Sequence, residues 1–184
     1  MPRSEHLPHR RAVILLADDD AGDQELTRRA LQQDVLQVDL RVVSDGKEAM
    51  DYLLRREKYI DNDIAPRPDL ILLDLNMPRL NGQRVLEQLR DDPDLDPIPV
   101  IVLTTSNHEQ DIVRSYELGC NSFIQKPVEV QPFIGAVRQL GQYWFELVAL
   151  PSEQRRETTA PTAGRDTHET TSTPLADDRR FLTN

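Results

Sequence analysis

A doubly wound α/β fold, with a five-stranded parallel sheet and five helices, is predicted by three observations. Short apolar runs alternate with stretches whose apolar residues recur at helical spacing over the first 150 residues, the pattern of a parallel sheet with helices on both faces. The third run, Leu70, Ile71, Leu72 and Leu73, is continuously apolar, as a strand buried on both faces must be. Four of the runs end in groups that carry charge or a hydroxyl: Asp18 and Asp19, Asp74, Thr104, and Lys126. Open α/β sheets gather chemistry outside the carboxyl ends of their strands, so residues a hundred positions apart can share one crevice.

Residues 13–17 read as the first strand and 23–33 as the first helix, with Leu26, Ala30 and Leu31 inward. Residues 39–43 alternate in character, which suits an edge strand. Asp45 and Gly46 mark a turn before a second helix with Ala49, Met50, Leu53 and Leu54 on its buried side. The polar stretch 57–68 ends in Pro66 and Pro68 and reads as a long loop of the functional or mobile kind.

After the strand at 70–73, Asn81 and Gly82 open a third helix with Val85, Leu86 and Leu89 inward. Pro97 and Pro99 bracket the approach to a fourth strand at 100–103, and a helix follows over 109–118 with Gly119 as its C-cap. Residues 121–125 form the fifth strand. Pro132 suits a helix start, and Phe133, Val137, Leu140, Trp144 and Leu147 then recur at threes and fours. Tyr143, Trp144 and Phe145 cluster at the far end of that helix. Such a cluster serves either self-association or packing of Trp144 under the domain.

The chain therefore divides into an N-terminal extension over 1–11, a domain over 12–150 and a Thr- and Pro-rich tail over 151–184. The tail has only Leu175, Phe181 and Leu182 as large apolar residues, too little burial to offset ordering entropy, and is expected to be disordered. Its five arginines nearly balance its six acids, so the net charge of −10 falls almost wholly on residues 1–150. An acidic domain without a basic stripe argues against nucleic acid. No apolar segment approaches the ~20 residues of a membrane span, Arg10 and Arg11 precede too short a run for a signal peptide, and the lone Cys120 fits a reducing compartment. A cytoplasmic protein is expected.

Three carboxylates cannot share a crevice comfortably, because two unit charges 4 Å apart repel by roughly 4 kcal/mol at an effective dielectric of 20. A hard cation resolves the conflict. Mg²⁺ accepts a few carboxylate and carbonyl oxygens while keeping waters, and Mn²⁺ or Ca²⁺ could stand in its place. His6, His9, His108 and His168 are scattered, so zinc is disfavoured. Asp74, ending the central strand, is the candidate nucleophile toward phosphorus, with Lys126 supplying charge and Thr104 a hydroxyl donor.

Asp18 and Asp19, the segment 74–78 with Gly82, Thr104, and Lys126 followed by Pro127 together resemble the receiver domain of two-component response regulators, in order and spacing, over about residues 12–148. The resemblance implies a flavodoxin-like receiver fold, like that of the chemotaxis regulator, with strand order 2-1-3-4-5. It implies that Asp74 accepts phosphate from a phosphohistidine, that Asp19 binds Mg²⁺ directly and Asp18 through water, and that the Asn76 carbonyl completes the metal shell. Thr104 and Phe123 would act as switch residues, Asn76 and Ser106 would tune dephosphorylation, and the peptide bond between Lys126 and Pro127 would be cis. Thr105 stands where the family often carries alanine, a departure that bears on access and phosphoryl lifetime. Asp20 lies outside the family's acidic pair and reads as a loop residue.

The long 57–68 loop and the extended final helix look like the single-domain regulators that partner bacterial phytochrome histidine kinases. The expected function is a stand-alone receiver that signals through protein contacts, forming a homodimer through its fourth helix, fifth strand and fifth helix, and catalysing only its own phosphorylation and slow dephosphorylation. Two alternatives are a phosphorylation-independent adaptor, which would typically have lost part of the site, and a Mg²⁺-dependent aspartyl phosphatase. The phosphatase would want an acid two residues after Asp74, where this chain has Asn76.

Overall fold

A computed structural model describes residues 11–32 and 38–144. In chain order it comprises β1 (Ala12–Ala17), α1 (Ala21–Gln32), β2 (Val38–Val43), α2 (Gly46–Leu53), a 3₁₀ turn (Glu57–Tyr59), β3 (Leu70–Leu73), α3 (Gly82–Asp91), β4 (Val100–Thr104), α4 (Glu109–Glu117), β5 (Ser122–Gln125) and α5 (Val130–Gln142). The strands form one parallel sheet in the order β2-β1-β3-β4-β5. The doubly wound class and the strand order are borne out.

Alternation along each strand divides the core into two layers. Leu15, Ala17, Ile71, Leu73, Val100 and Val102 face α2 and α3, meeting Met50, Leu53, Val85, Leu86 and Leu89. Ile14, Leu16, Leu70, Leu72, Ile101 and Leu103 face the other way and meet Ala30 and Leu31 of α1 with Phe133, Val137 and Leu140 of α5. Because β1, β3 and β4 have helices on both faces, all their residues but Ala12 are buried. Flanking β2 and β5 are largely half-buried.

Register is what gathers the strand ends. Ala17 pairs with Leu73, and Leu73 with Val102, so Asp18 and Asp74 leave the sheet at one level and Thr104 one residue beyond it. The amide of Asp74 donates to the Ala17 carbonyl at 2.9 Å and that of Lys126 to the Thr104 carbonyl at 2.7 Å.

Several local expectations change in the fold. Asp45 and Gly46 are a helix start rather than a free turn: Asp45 has extended backbone and its side chain accepts from the Glu48 amide at 2.9 Å, the N-cap arrangement. Asp20 likewise caps α1, accepting from the Asp23 amide at 2.9 Å, so it is more than a loop residue. The 57–68 segment is tied down. Tyr59 and Ala65 are buried in the α2/α3-side core, the Tyr52 hydroxyl donates to the Pro66 carbonyl at 2.8 Å, and the Tyr59 hydroxyl donates to Glu48 at 2.9 Å. Its length serves packing, with two tyrosines meeting edge to face at 5.1 Å.

The peptide bond between Lys126 and Pro127 is trans, not cis, the isomer that local energetics favour for a residue before proline. Trp144 packs against the α1/α5-side core, whereas Tyr143 is exposed; the two follow directly on the last residue of α5, with their rings edge to face at 5.8 Å. Phe145, His6, His9, His168, the extension at 1–10 and the tail lie outside the described residues. No described helix is long and apolar enough to cross a membrane.

Candidate functional site

Lys126 is the centre of the site. Its ammonium donates to Asp18 Oδ2 at 2.8 Å, to Asp74 Oδ2 at 2.9 Å and to Asp23 Oδ2 at 2.8 Å. The lysine side chain is 3% exposed, Asp18 1% and Asp74 6%, so this is a desolvated charge cluster. Burial pulls the Lys126 ammonium down, but the hydrogen bonds it donates to Asp18, Asp23 and Asp74 outweigh it and the net shift is upward. Burial pushes the Asp18 carboxyl up, offset only in part by the hydrogen bond and charge of Lys126.

Asp18, Asp19 and Asp74 can bring carboxylate oxygens within 4.8 Å of one another. Asp19 is exposed and the other two buried, so the group opens to solvent on one side. The donors are all hard oxygens with no imidazole or thiolate among them, which fits Mg²⁺ or Mn²⁺ and excludes a zinc-type set. Spare carboxylate oxygens are held by backbone amides: Asp18 Oδ1 accepts from Asp20 at 3.0 Å and Asp74 Oδ1 from Asn76 at 3.1 Å. These bonds fix the direction in which each acid faces.

Thr104 is fully buried, and its Oγ1 accepts from the Asn76 side-chain amide at 3.5 Å and the Ser106 amide at 3.3 Å. The Ser106 hydroxyl in turn donates to Asp111 of α4, so the hydroxyl that faces the site is linked to a helix. Thr105 is exposed at the end of the next position. Phe123 is half-buried and packs on the α2/α3-side core, with its amide donating to the Tyr116 hydroxyl of α4 at 3.2 Å. It stands apart from the charge cluster, on β5.

The segment after β3 is braced by contact too close for a side chain. A Cβ on Gly82 would lie 2.1 Å from the Asp74 carbonyl oxygen, and one on Gly46 1.9 Å from the Leu80 carbonyl oxygen. Arg79, with φ of 64°, pairs with Asp45 across this junction. The fold thus brings together Asp18, Asp19, Asp74, Asn76, Thr104, Ser106 and Lys126. It adds Asp23, which sequence reasoning missed because an acid in the first turn of a helix is an ordinary preference and gives no sign of a partner 103 positions away.

The response regulator receiver domain model matches residues 14–138, a span that contains every charged residue of this site. The chain belongs to the response regulator receiver family. Among related receivers, the response regulator Rcp1 of Synechocystis is 39% identical over 140 residues, which make up 76% of this chain and 93% of that protein. The structure of Rcp1 in its Mn²⁺-bound form matches with a TM-score of 0.72 at 38% identity, covering 77% of this chain and 99% of the other. The phosphorylated cyanobacterial phytochrome response regulator RcpA matches with a TM-score of 0.74 at 38% identity, covering 78% and 100%. The bacteriophytochrome response regulator RtBRR matches with a TM-score of 0.61 at 41% identity, covering 80% and 88%. This receiver is a two-component signalling protein.

Proposed function

We propose that Asp74 is the phosphoacceptor of this receiver, taking a phosphoryl group from the phosphohistidine of a bacteriophytochrome-type sensor kinase in the cytoplasm. One observation carries the assignment: the Asp74 carboxylate ends the central strand, nearly buried, 2.9 Å from the Lys126 ammonium and within a 4.8 Å group with Asp18 and Asp19. An Asp74 oxygen attacks phosphorus, the phosphorus–nitrogen bond to the histidine breaks, and the imidazole nitrogen keeps the electron pair. Such a transfer asks for in-line positioning and charge neutralisation more than for covalent help. Asp18, Asp19, Asp74 and the Asn76 carbonyl would hold Mg²⁺, or Mn²⁺ or Ca²⁺ in its place, and the ion would supply positive charge against the phosphoryl oxygens.

The Lys126 ammonium balances the same charge, and the Thr104 hydroxyl donates to a phosphoryl oxygen once it turns from Asn76. A phosphoryl group adds up to two negative charges and three acceptor oxygens, enough to draw Thr104 inward and release space for Phe123. Asn76, whose amide donates to Asp74, and Ser106, whose amide donates to Thr104, tune attack of water, the only reaction besides its own phosphorylation that the receiver catalyses. The link from Thr104 through Ser106 to Asp111 supports output through α4, β5 and α5. Exposed Val113 and Tyr116 on α4, with Val128, Val130 and Tyr143 near α5, support a homodimer on that face. The phytochrome partner is supported by relatives that bear that name, RcpA and RtBRR.

Incubation with acetyl phosphate and Mg²⁺ is expected to give one acid-labile phosphate, lost in Asp74→Asn. Labelling of equal extent at the same peptide in that variant would overturn the assignment. Transfer from a phosphorylated bacteriophytochrome kinase, compared with other histidine kinases, tests the partner.

A further inference from the structure

Lys126 binds one carboxylate more than the phosphoryl chemistry uses. An ammonium has three N–H donors, and all three are engaged, by Asp18, Asp74 and Asp23 at 2.8, 2.9 and 2.8 Å. Asp18 and Asp74 also belong to the carboxylate group that fits a cation; Asp23 does not. Asp23 comes instead from the first turn of α1, where its amide is fixed by the Asp20 cap at 2.9 Å. Its side chain is 27% exposed against 3% for Lys126, so it covers the solvent side of the ammonium.

A phosphoryl oxygen that needs a donor from Lys126 finds none free, and one carboxylate has to give way. Resting on Asp74 as phosphoacceptor, we propose that Asp23 is a positioning residue that competes with the phosphoryl group for Lys126 and so sets how tightly the site holds it. Two effects oppose each other. Asp23 steadies the ammonium, which favours binding, while its charge cancels part of the field that Lys126 offers an anion. The second dominates, because the lysine stem is buried and Asp18 still orients the ammonium, whereas a carboxylate at 2.8 Å leaves no room for screening water.

The test is titration of the full chain with beryllofluoride in the presence of Mg²⁺, which places a phosphoryl-like group on a carboxylate. Asp23→Asn keeps an oxygen acceptor at the same reach and removes the charge; it is expected to bind beryllofluoride about tenfold tighter, the size of effect one neighbouring charge has on an ionisation equilibrium. Affinity for Mg²⁺ alone is expected to be unchanged or lower, whereas damage to the site would weaken both ligands. Asp23→Glu, which keeps the charge, is expected to bind like the wild type. In a Lys126→Ala background the gain from Asp23→Asn is expected to vanish, since the effect runs through the ammonium.

Unchanged or weaker beryllofluoride binding by Asp23→Asn overturns the proposal, as does a gain of equal size without Lys126, which would show direct repulsion instead. Failure of the wild type to take beryllofluoride at all overturns the phosphoacceptor reading, and this proposal with it.

Discussion

At Lys126, burial and hydrogen bonding act with opposite sign on one ammonium, and the three carboxylates win. The converse holds for the acids, which depend on that ammonium for compensation. Breaking a buried ion pair by removing one partner costs about 3–5 kcal/mol, because the other charge is left unpaired. Lys126→Ala is therefore expected to unfold at lower urea in EDTA, with Mg²⁺ restoring part of the loss by binding the native carboxylates; an equal midpoint in EDTA would mean that the acids are compensated elsewhere. Away from the site, Glu48 shows the same balance. Burial pushes its carboxyl up, but hydrogen bonds from Lys58, the Ser44 amide and the Tyr59 hydroxyl bring it from 4.5 down to about 2. A folded-state value below the unfolded one stabilises above pH 4.5 and is lost as pH falls toward 2. Glu48→Gln is expected to lower stability at pH 6 and to converge with the wild type near pH 2, as denaturant midpoints across that range will show.

At the scale of elements, the β3–α3 junction is the part whose geometry is most constrained. Gly82 admits α3 so close to β3 that a methyl group would meet the Asp74 carbonyl oxygen at 2.1 Å and the Leu75 Cα at 2.8 Å. Both are backbone atoms, which cannot rotate away. Gly82→Ala is expected to cost about 1–3 kcal/mol, the usual range for overpacking, and to weaken Mg²⁺ binding because Asp74 is displaced; wild-type affinity for the ion would show that the junction yields without moving the acid. Asp45 caps α2 and pairs with Arg79, so Asp45→Ala is expected to remove about 0.5–2 kcal/mol, read as a lower thermal midpoint. The sequence marked Asn81 and Gly82 as a helix start, correctly, since Asn81 caps α3 by accepting from the Arg84 amide at 2.9 Å. That Gly82 is also a point of close approach depends on β3 lying beneath it.

For the molecule as a whole, exposed apolar side chains collect where α4 and α5 flank β5: Val113 and Tyr116 are each 51% exposed. A charge placed there tests self-association without touching the core. If the proposed homodimer forms through α4, Val113→Asp is expected to shift the beryllofluoride-loaded protein toward monomer in sedimentation, and an unchanged mass would count against that face. Cutting the chain before Tyr143 is a poorer test of the same face. Trp144 packs on the α1/α5-side core, so its loss would disturb packing as well as any contact between copies.

Strand and helix order, the inward side of each helix and the polar groups at the strand ends were legible in the residues themselves, because period and run length are local properties; which of the two core layers each residue joins was not. Asp18, Asp74, Thr104 and Lys126 could be found that way since each closes or follows an apolar run. The tertiary structure decided what those residues touch. Asp23 reaches Lys126 across 103 positions, and the 57–68 segment folds back onto α2, where the Tyr52 hydroxyl meets the Pro66 carbonyl and the Tyr59 hydroxyl meets Glu48. Neither of these has a local signature: each follows from the sheet register and the helices packed on it, which bring distant side chains within hydrogen-bond reach only after the chain has folded.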